Sequence, residues 1–196
     1  KGLYFFEQKN ANGQKKGNPY ETVEFQRNAI KKLSGGQVLI QTTSTSAIRS
    51  IMQRYGISCR KSMGQNFLTD KNIIEKIIAA AELKDTDLVV EIGPGLGALT
   101  AQIALAAEKV IAVEVDRGLI AALAEVLEGL QNVEIVQDDA LKTDFDLLVG
   151  ERTGGLYGKG AKKYKLMANL PYYITSPIIM HLLMERFNIS VIVIMI

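Results

Sequence analysis

From Asp87 onward the chain repeats one pattern. A short apolar run is followed by a turn, and the turn by a longer segment of mixed apolar and polar positions. The apolar runs are Asp87 to Ile92 (DLVVEI), Lys109 to Glu114 (KVIAVE), Val133 to Gln137 (VEIVQ), Tyr164 to Asn169 (YKLMAN) and Ile189 onward (ISVIVIMI). Runs this short, rich in Val and Ile and lacking a polar face, predict strands covered on both sides. Between them, Gly97 to Ala107, Arg117 to Leu130 and about Ser176 to Phe187 predict helices. Strands alternating with helices in this way predict an α/β fold built on a doubly wound parallel sheet.

Upstream the pattern is helical. Asp70 is placed to cap a helix over Lys71 to Leu83, with Ile73, Ile74, Ile77 and Ile78 on one face. Thr42 to Tyr55 carries Ser and Thr caps ahead of Ala47, Ile48, Ile51 and Met52, which predicts an amphipathic helix stopped by Gly56. The first 40 or so residues are polar, and within them Glu21 to Leu33 suggests a short helix that ends at Gly35-Gly36. This divides the chain into an N-terminal extension of unknown role, 1–41, and a folded domain, 42–196. One segment inside the domain breaks the alternation. Gly154 to Lys165 (GGLYGKGAKKYK) holds four glycines and four lysines and predicts a mobile basic loop.

Charge changes the picture more than composition does. The net charge is only +2, but Lys1 to Lys61 carries eleven Lys and Arg against three Asp and Glu. A basic arm on an acidic body suggests a polyanionic partner, or simply a solvated arm. Arg60, Lys61, Lys159, Lys162 and Lys163 are candidate phosphate contacts. The single cysteine, Cys59, excludes an internal disulfide and suits a reducing cytoplasm. The longest apolar run, Ile189 to Ile196, is far below the roughly 20 residues of a membrane-spanning helix. With one His and one Cys, no metal-ligand cluster is expected.

Two motifs point to a nucleoside. Glu91-Ile92-Gly93-Pro94-Gly95-Leu96-Gly97 joins a strand to a helix, and its glycines let a ligand approach the backbone. Glu114 ends the next strand, 21 residues after Gly93, where a carboxylate accepts from both ribose hydroxyls. Gly93, Gly95 and Ala98 also satisfy the dinucleotide fingerprint, so an NAD-dependent dehydrogenase stays open. A third motif, Asn169-Leu170-Pro171-Tyr172-Tyr173-Ile174, ends the fourth run. An adenine N6 amine is a poor nucleophile because its lone pair is delocalised into the ring. Acceptors on both of its N–H groups favour a pyramidal nitrogen. The Asn169 side-chain oxygen and the Leu170 carbonyl are such acceptors, Pro171 stiffens the turn, and Tyr172 offers a face for stacking.

With these motifs in hand, the sequence resembles the ribosomal RNA adenine N6-dimethyltransferases, the KsgA and Erm family, and within it the branch acting on the small subunit. The likeness covers about Thr42 to Ile196 and rests on KSMGQNFLTD (61–70), EIGPGLGALT (91–100), VIAVEVD (110–116), QDDAL (137–141) and NLPYYI (169–174). It implies a Rossmann-like class I methyltransferase domain using S-adenosyl-L-methionine, acting as a cytoplasmic monomer on small-subunit (16S) ribosomal RNA. By the same likeness Gln65, Asn66 and Leu68 would contact the methionine end of the cofactor, and Gly93 and Gly95 would line its floor. Glu114 would hold the ribose and Val115 would pack on the cofactor adenine. Asp139, with the backbone at Ala140, would accept from that adenine's amine. Asn169 would sit beside both methyl donor and target. The family continues beyond this point with two more strands and a small helical domain. The chain is therefore expected to be an incomplete domain, truncated after about the fifth strand, with an apolar strand edge left open. A non-catalytic RNA-binding role in ribosome assembly is the other alternative.

Overall fold

In the computed structural model, residues 3–7, 45–57, 68 and 70–196 are described. The elements are β1 (Leu3–Glu7), α1 (Thr45–Arg54), α2 (Lys71–Ala81), β2 (Leu88–Ile92), α3 (Ala98–Ala106) and β3 (Lys109–Glu114). They continue with α4 (Arg117–Val126), β4 (Val133–Gln137), α5 (Phe145–Arg152), β5 (Tyr164–Asn169), α6 (Tyr172–Glu185) and β6 (Ile189–Met195). The suggested helix over Glu21 to Leu33 falls outside the described residues.

The sheet order is β1-β6-β5-β2-β3-β4. Strands β2 to β6 are mutually parallel, and β1 pairs antiparallel with β6, Leu3 opposite Met195 and Glu7 opposite Val191. The five predicted parallel strands are thus present in a doubly wound sheet. The edge of β6 is not open, however. Backbone pairing with β1, from the extension predicted only as polar, covers it.

Alternate residues of each strand feed opposite cores, as strand geometry requires. Leu88, Val90 and Ile92 pack with Phe145, Leu148 and Val149 of α5 and Ile178 and Leu182 of α6. Val89 packs on the other face with Ile74, Ile77 and Ile78 of α2 and Leu99 and Ile103 of α3. Helices α1 and α4 extend that second face through Ile48, Ile51, Leu119, Ala122 and Leu123. In β2, β3 and β5 both faces are covered, which is why these strands lack a polar side.

Two helices differ from expectation. Asp144 caps an unpredicted α5, its side chain accepting from Leu147 N at 2.9 Å. Helix α6 begins at Tyr172 rather than near Ser176, because Thr175 Oγ1 donates to the Pro171 carbonyl at 2.9 Å and closes the first turn.

The segment 154–163, expected to be mobile, is tied down instead. Tyr157 is buried and its hydroxyl donates to the Thr86 carbonyl at 3.0 Å. Asn188 Nδ2 donates to the carbonyls of Gly158 at 2.6 Å and Ala161 at 3.1 Å. Lys165, counted in the basic loop, is a buried strand residue. Its Nζ donates to Ala81 O at 2.9 Å and Glu82 O at 2.7 Å and pairs with Asp87 at 2.8 Å. These contacts fix the segment at the amino ends of the parallel strands.

Candidate nucleoside site

Doubly wound sheets bind ligands where strand order reverses, at the carboxyl ends of the strands. Here the chain runs outward from β2 through β3 to β4, then returns to place β5 on the other side of β2. The segments after β2 and β5, Gly93–Gly97 and Leu170–Pro171, therefore face one another across the switch point. Between them lies a cleft of about 190 Å3.

The glycine turn is dictated by backbone conformation. Gly93 has φ +68°, and a Cβ there would meet open space, so its demand is for the left-handed backbone and not for room. Gly97, at φ +81°, opens α3, and a Cβ there would press on Leu123 and Leu127 at 3.0 Å. Gly97 thus allows α3 to pack closely on α4, while Gly93 leaves the cleft floor bare.

Glu114 ends β3 with both oxygens in use. Oε1 accepts from Asp116 N at 2.9 Å and Oε2 from Gly95 N at 3.3 Å. Burial pushes its carboxyl above the usual range, and these backbone N–H groups pull the other way. Each oxygen keeps a lone pair for a further donor. After β4 the turn at 138–143 is built on Asp139. Its carbonyl accepts from Lys142 N at 2.8 Å and Thr143 N at 3.0 Å, and its Oδ1 from Leu141 N at 3.1 Å.

After β5, Leu170 N donates to the Met195 carbonyl at 3.0 Å, which ties the motif to β6. Pro171, at φ −62°, caps α6. No group among the described residues donates to the Asn169 side chain. Tyr172 is 75% exposed and Tyr173 63%, both too open for core residues.

The structure brings Leu68, Gly93, Gly95, Glu114, Val115, Asp139, Ala140, Asn169, Leu170, Pro171 and Tyr172 to the walls of this one cleft. Gln65 and Asn66 lie outside the described residues, as do Cys59, Arg60 and Lys61. The candidate phosphate contacts Lys159, Lys162 and Lys163 sit in the segment fixed at the opposite end of the sheet. They do not belong to this site.

Sequence reasoning passed over Glu91. Its carboxyl is 1% exposed, lines the cleft, and leaves Oε2 without a hydrogen-bond partner. Burial raises its pKa to about 8. The Thr100 hydroxyl beside it offsets part of this, and the Glu114 charge adds to it. Neither Glu91 Oε2 nor Thr100 Oγ1 is in a formed hydrogen bond. The available signal was an acidic residue inside an otherwise apolar strand. The acidic residues lining the cleft are Glu91, Glu114, Asp138 and Asp139, with no Lys, Arg or His among the described ones. A buried carboxyl with an unpartnered oxygen, in a cleft whose other ionisable groups are all acidic, fits a ligand that carries a cation. It does not fit the pyrophosphate of a dinucleotide.

Among the described residues no cluster of His, Cys, Asp and Glu could hold a metal ion, and no helix is long and apolar enough to cross a membrane.

Residues 56–196 match the family model described as ribosomal RNA adenine dimethylase. The ribosomal RNA small subunit methyltransferase A of Pelotomaculum thermopropionicum is 63% identical over 158 residues, covering 81% of this chain and 54% of that protein. The protein of the same name from Moorella thermoacetica is 54% identical over 150 residues, covering 75% of this chain and 51% of the relative. The chain thus spans about half the length of the curated relatives it matches. Among solved structures, the 23S rRNA methyltransferase ErmE superposes with a TM-score of 0.50 at 33% identity, over 60% of this chain and 43% of that one.

Proposed function

The chain belongs to the ribosomal RNA adenine dimethylase family, and from that premise we propose that its cleft binds S-adenosyl-L-methionine and methylates the N6 amine of adenines in small-subunit (16S) ribosomal RNA, giving N6,N6-dimethyladenosine. The observation that carries this reading is the meeting of two motifs at one switch point. Asn169-Leu170-Pro171-Tyr172 opens onto the same cleft as Glu91, Gly93, Gly95 and Glu114. The acidic lining favours a cofactor whose sulfonium and ammonium are positive, and weighs against NAD. The names of the relatives support the small subunit as the source of the RNA.

When bound, the cofactor supplies an electrophilic methyl group. The rest is done by residues of the chain. Glu114 takes the ribose hydroxyls on the lone pairs its backbone donors leave free. Val115 packs on the cofactor base, and Asp139, with the backbone at Ala140, accepts from its amine. Gly93 and Gly95 form the floor, and Leu68, with Gln65 and Asn66, would contact the methionine end. Glu91 offers its unpartnered oxygen to the cationic side.

Asn169 and the Leu170 carbonyl accept the two N–H groups of the target amine, while the exposed Tyr172 ring stacks on its base. This orients the nitrogen lone pair along the line of transfer, and orientation is the main source of rate here. No strong base is required, because the amine proton turns acidic as the new bond forms. The protein is read as a monomer acting in the cytoplasm.

The test uses labelled S-adenosylmethionine and immature small ribosomal subunits. Label should appear at adenine N6, and label in cytosine or protein overturns the reading. Asn169→Ala should cut transfer by on the order of 1000-fold, the scale of losing a positioned transition-state hydrogen bond. Its affinity for S-adenosylhomocysteine should fall far less. Unchanged turnover would remove Asn169 from the role given it.

A further inference from the structure

His181 lies on α6, nine residues beyond Tyr172, or about 13 Å along a helix. No motif drew attention to it. Its Nε2 is 3.0 Å from the Thr143 carbonyl oxygen. A carbonyl only accepts, so Nε2 carries the proton and donates. The ring is held between two aromatics. Its centroid lies 6.2 Å from Phe145, tilted by 52°, and 5.4 Å from Phe187 in an edge-on arrangement. Phe145 and Phe187 meet each other edge-on at 5.4 Å.

What His181 grips matters more than the grip itself. Thr143 is 4% exposed and closes the turn that begins at Asp139. Its N–H and its Oγ1 both donate to the Asp139 carbonyl at 3.0 Å. Asp139 in turn holds Leu141 N through Oδ1. The turn therefore has two ends. One presents Asp139 and Ala140 to the cleft, and the other is bonded to His181. The helix carrying His181 opens on Pro171 and Tyr172, the target-base motif. Directly after the turn, Phe145 starts α5 and packs on the same imidazole. The turn and α6 come from distant parts of the chain, and His181 bonds one to the other.

We infer that His181 is a positioning residue that locks the Asp139 turn to α6, so that the element facing the cofactor base and the element facing the target base are held in one geometry. The link to the cofactor base rests on the reading of Asp139 given above. The anchoring itself does not.

Two readouts keep these apart. The first is amide hydrogen exchange in the ligand-free chain at Leu141, Lys142 and Thr143, whose N–H groups bond Asp139. His181→Phe keeps a ring between Phe145 and Phe187 but removes the donor. It should speed exchange at these three amides about 10-fold, the scale of one hydrogen bond, while amides of β2 and β3 stay unchanged. His181→Gln, which restores a donor at similar reach, should return exchange to within about threefold of the parent. The second readout is affinity for S-adenosylhomocysteine against its hypoxanthine analogue, S-inosylhomocysteine. The parent should prefer the amino base by about 10-fold or more, and His181→Phe should lose most of that preference.

Unchanged exchange in His181→Phe overturns the proposal whatever the ligands do. Faster exchange in His181→Phe, together with a parent that shows no preference between the bases, upholds the anchor and removes the role of Asp139. Should His181→Phe not fold, His181→Asn, too short to reach Thr143, supports the same comparison.

Discussion

At the amino ends of the parallel strands Lys165 satisfies two helix-terminal carbonyls and a carboxylate at once, while near the carboxyl ends Glu91 Oε2 has no partner. Both residues sit in the same sheet and point into the same face. At the amino ends the accounting of polar groups closes. Tyr164 Oη donates to Asp146 at 3.0 Å, Asp146 accepts from Asn188 N at 2.9 Å, and Tyr157 caps the ends of β2 and β3. At the carboxyl ends it stays open. Glu114 and Asp139 keep acceptor capacity, and Val115, Tyr172 and Tyr173 lie exposed. Buried polar groups in a fold are paired almost without exception. The end where pairing fails is thus the end built to complete itself with a ligand, and the basic segment at 154–163 serves the fold.

The largest effect on stability should come from breaking the closed end. Lys165→Met leaves Asp87 and the Ala81 and Glu82 carbonyls without their cation. Removing one partner from a mostly buried, multiply bonded pair should cost about 3 kcal/mol. Urea unfolding measures it. Affinity of the cleft for S-adenosylhomocysteine should stay within about threefold. If affinity falls as steeply as stability, the two ends are not separable and the comparison fails.

Next is the open end, probed by pH. The Glu91 carboxyl has its pKa raised from 4.5 to about 8 by burial. Between these values the folded chain keeps a proton that the unfolded chain has released. Stability of the ligand-free protein therefore falls as pH rises through that window, and levels off above about 8. Glu91→Gln removes this titration. Across pH 5 to 8 it should flatten the fall by on the order of 1–3 kcal/mol, read from urea unfolding at a series of pH values. The same slope in parent and variant would mean that Glu91 is solvated in the folded chain, and the open end would lose its main mark.

How much of this was legible beforehand depended on how local the determining physics was. The bounds of β3 and β5 coincide with their apolar runs, because a strand covered on both faces has nothing else to show; the bounds of β4, a half-buried edge strand, coincide as well. Helix α6 is expected only from about Ser176. The actual start is set by Thr175 reaching back to Pro171. Helix α5 has eight residues and buries only Phe145, Leu148 and Val149, too few to make a helical stripe. Helix α4 stops at Val126 rather than Leu130, where the chain turns through Gly129 at φ +90°. The site divided in the same way. Gly93, Gly95, Glu114 and Asn169 stand out as motif residues. Glu91 and His181 matter through what surrounds them, and those neighbours come from other elements.

The smallest effect on the fold should come from Tyr172, and it asks whether the open end is open. With three quarters of its surface exposed, the ring buries too little to contribute to the core. Tyr172→Ala should therefore shift unfolding by less than about 0.5 kcal/mol. Stacking of a base on an aromatic face contributes about 1–3 kcal/mol, so turnover on ribosomal RNA should fall at least about fivefold. Affinity for S-adenosylhomocysteine should hold, since the ring serves the other partner. Unfolding measurements and single-turnover methylation on the same preparation separate the two. If Tyr172→Ala destabilises the chain by more than about 1 kcal/mol, the ring is packed in solution. The carboxyl end would then be as closed as the amino end, and the target base would need another surface to rest on.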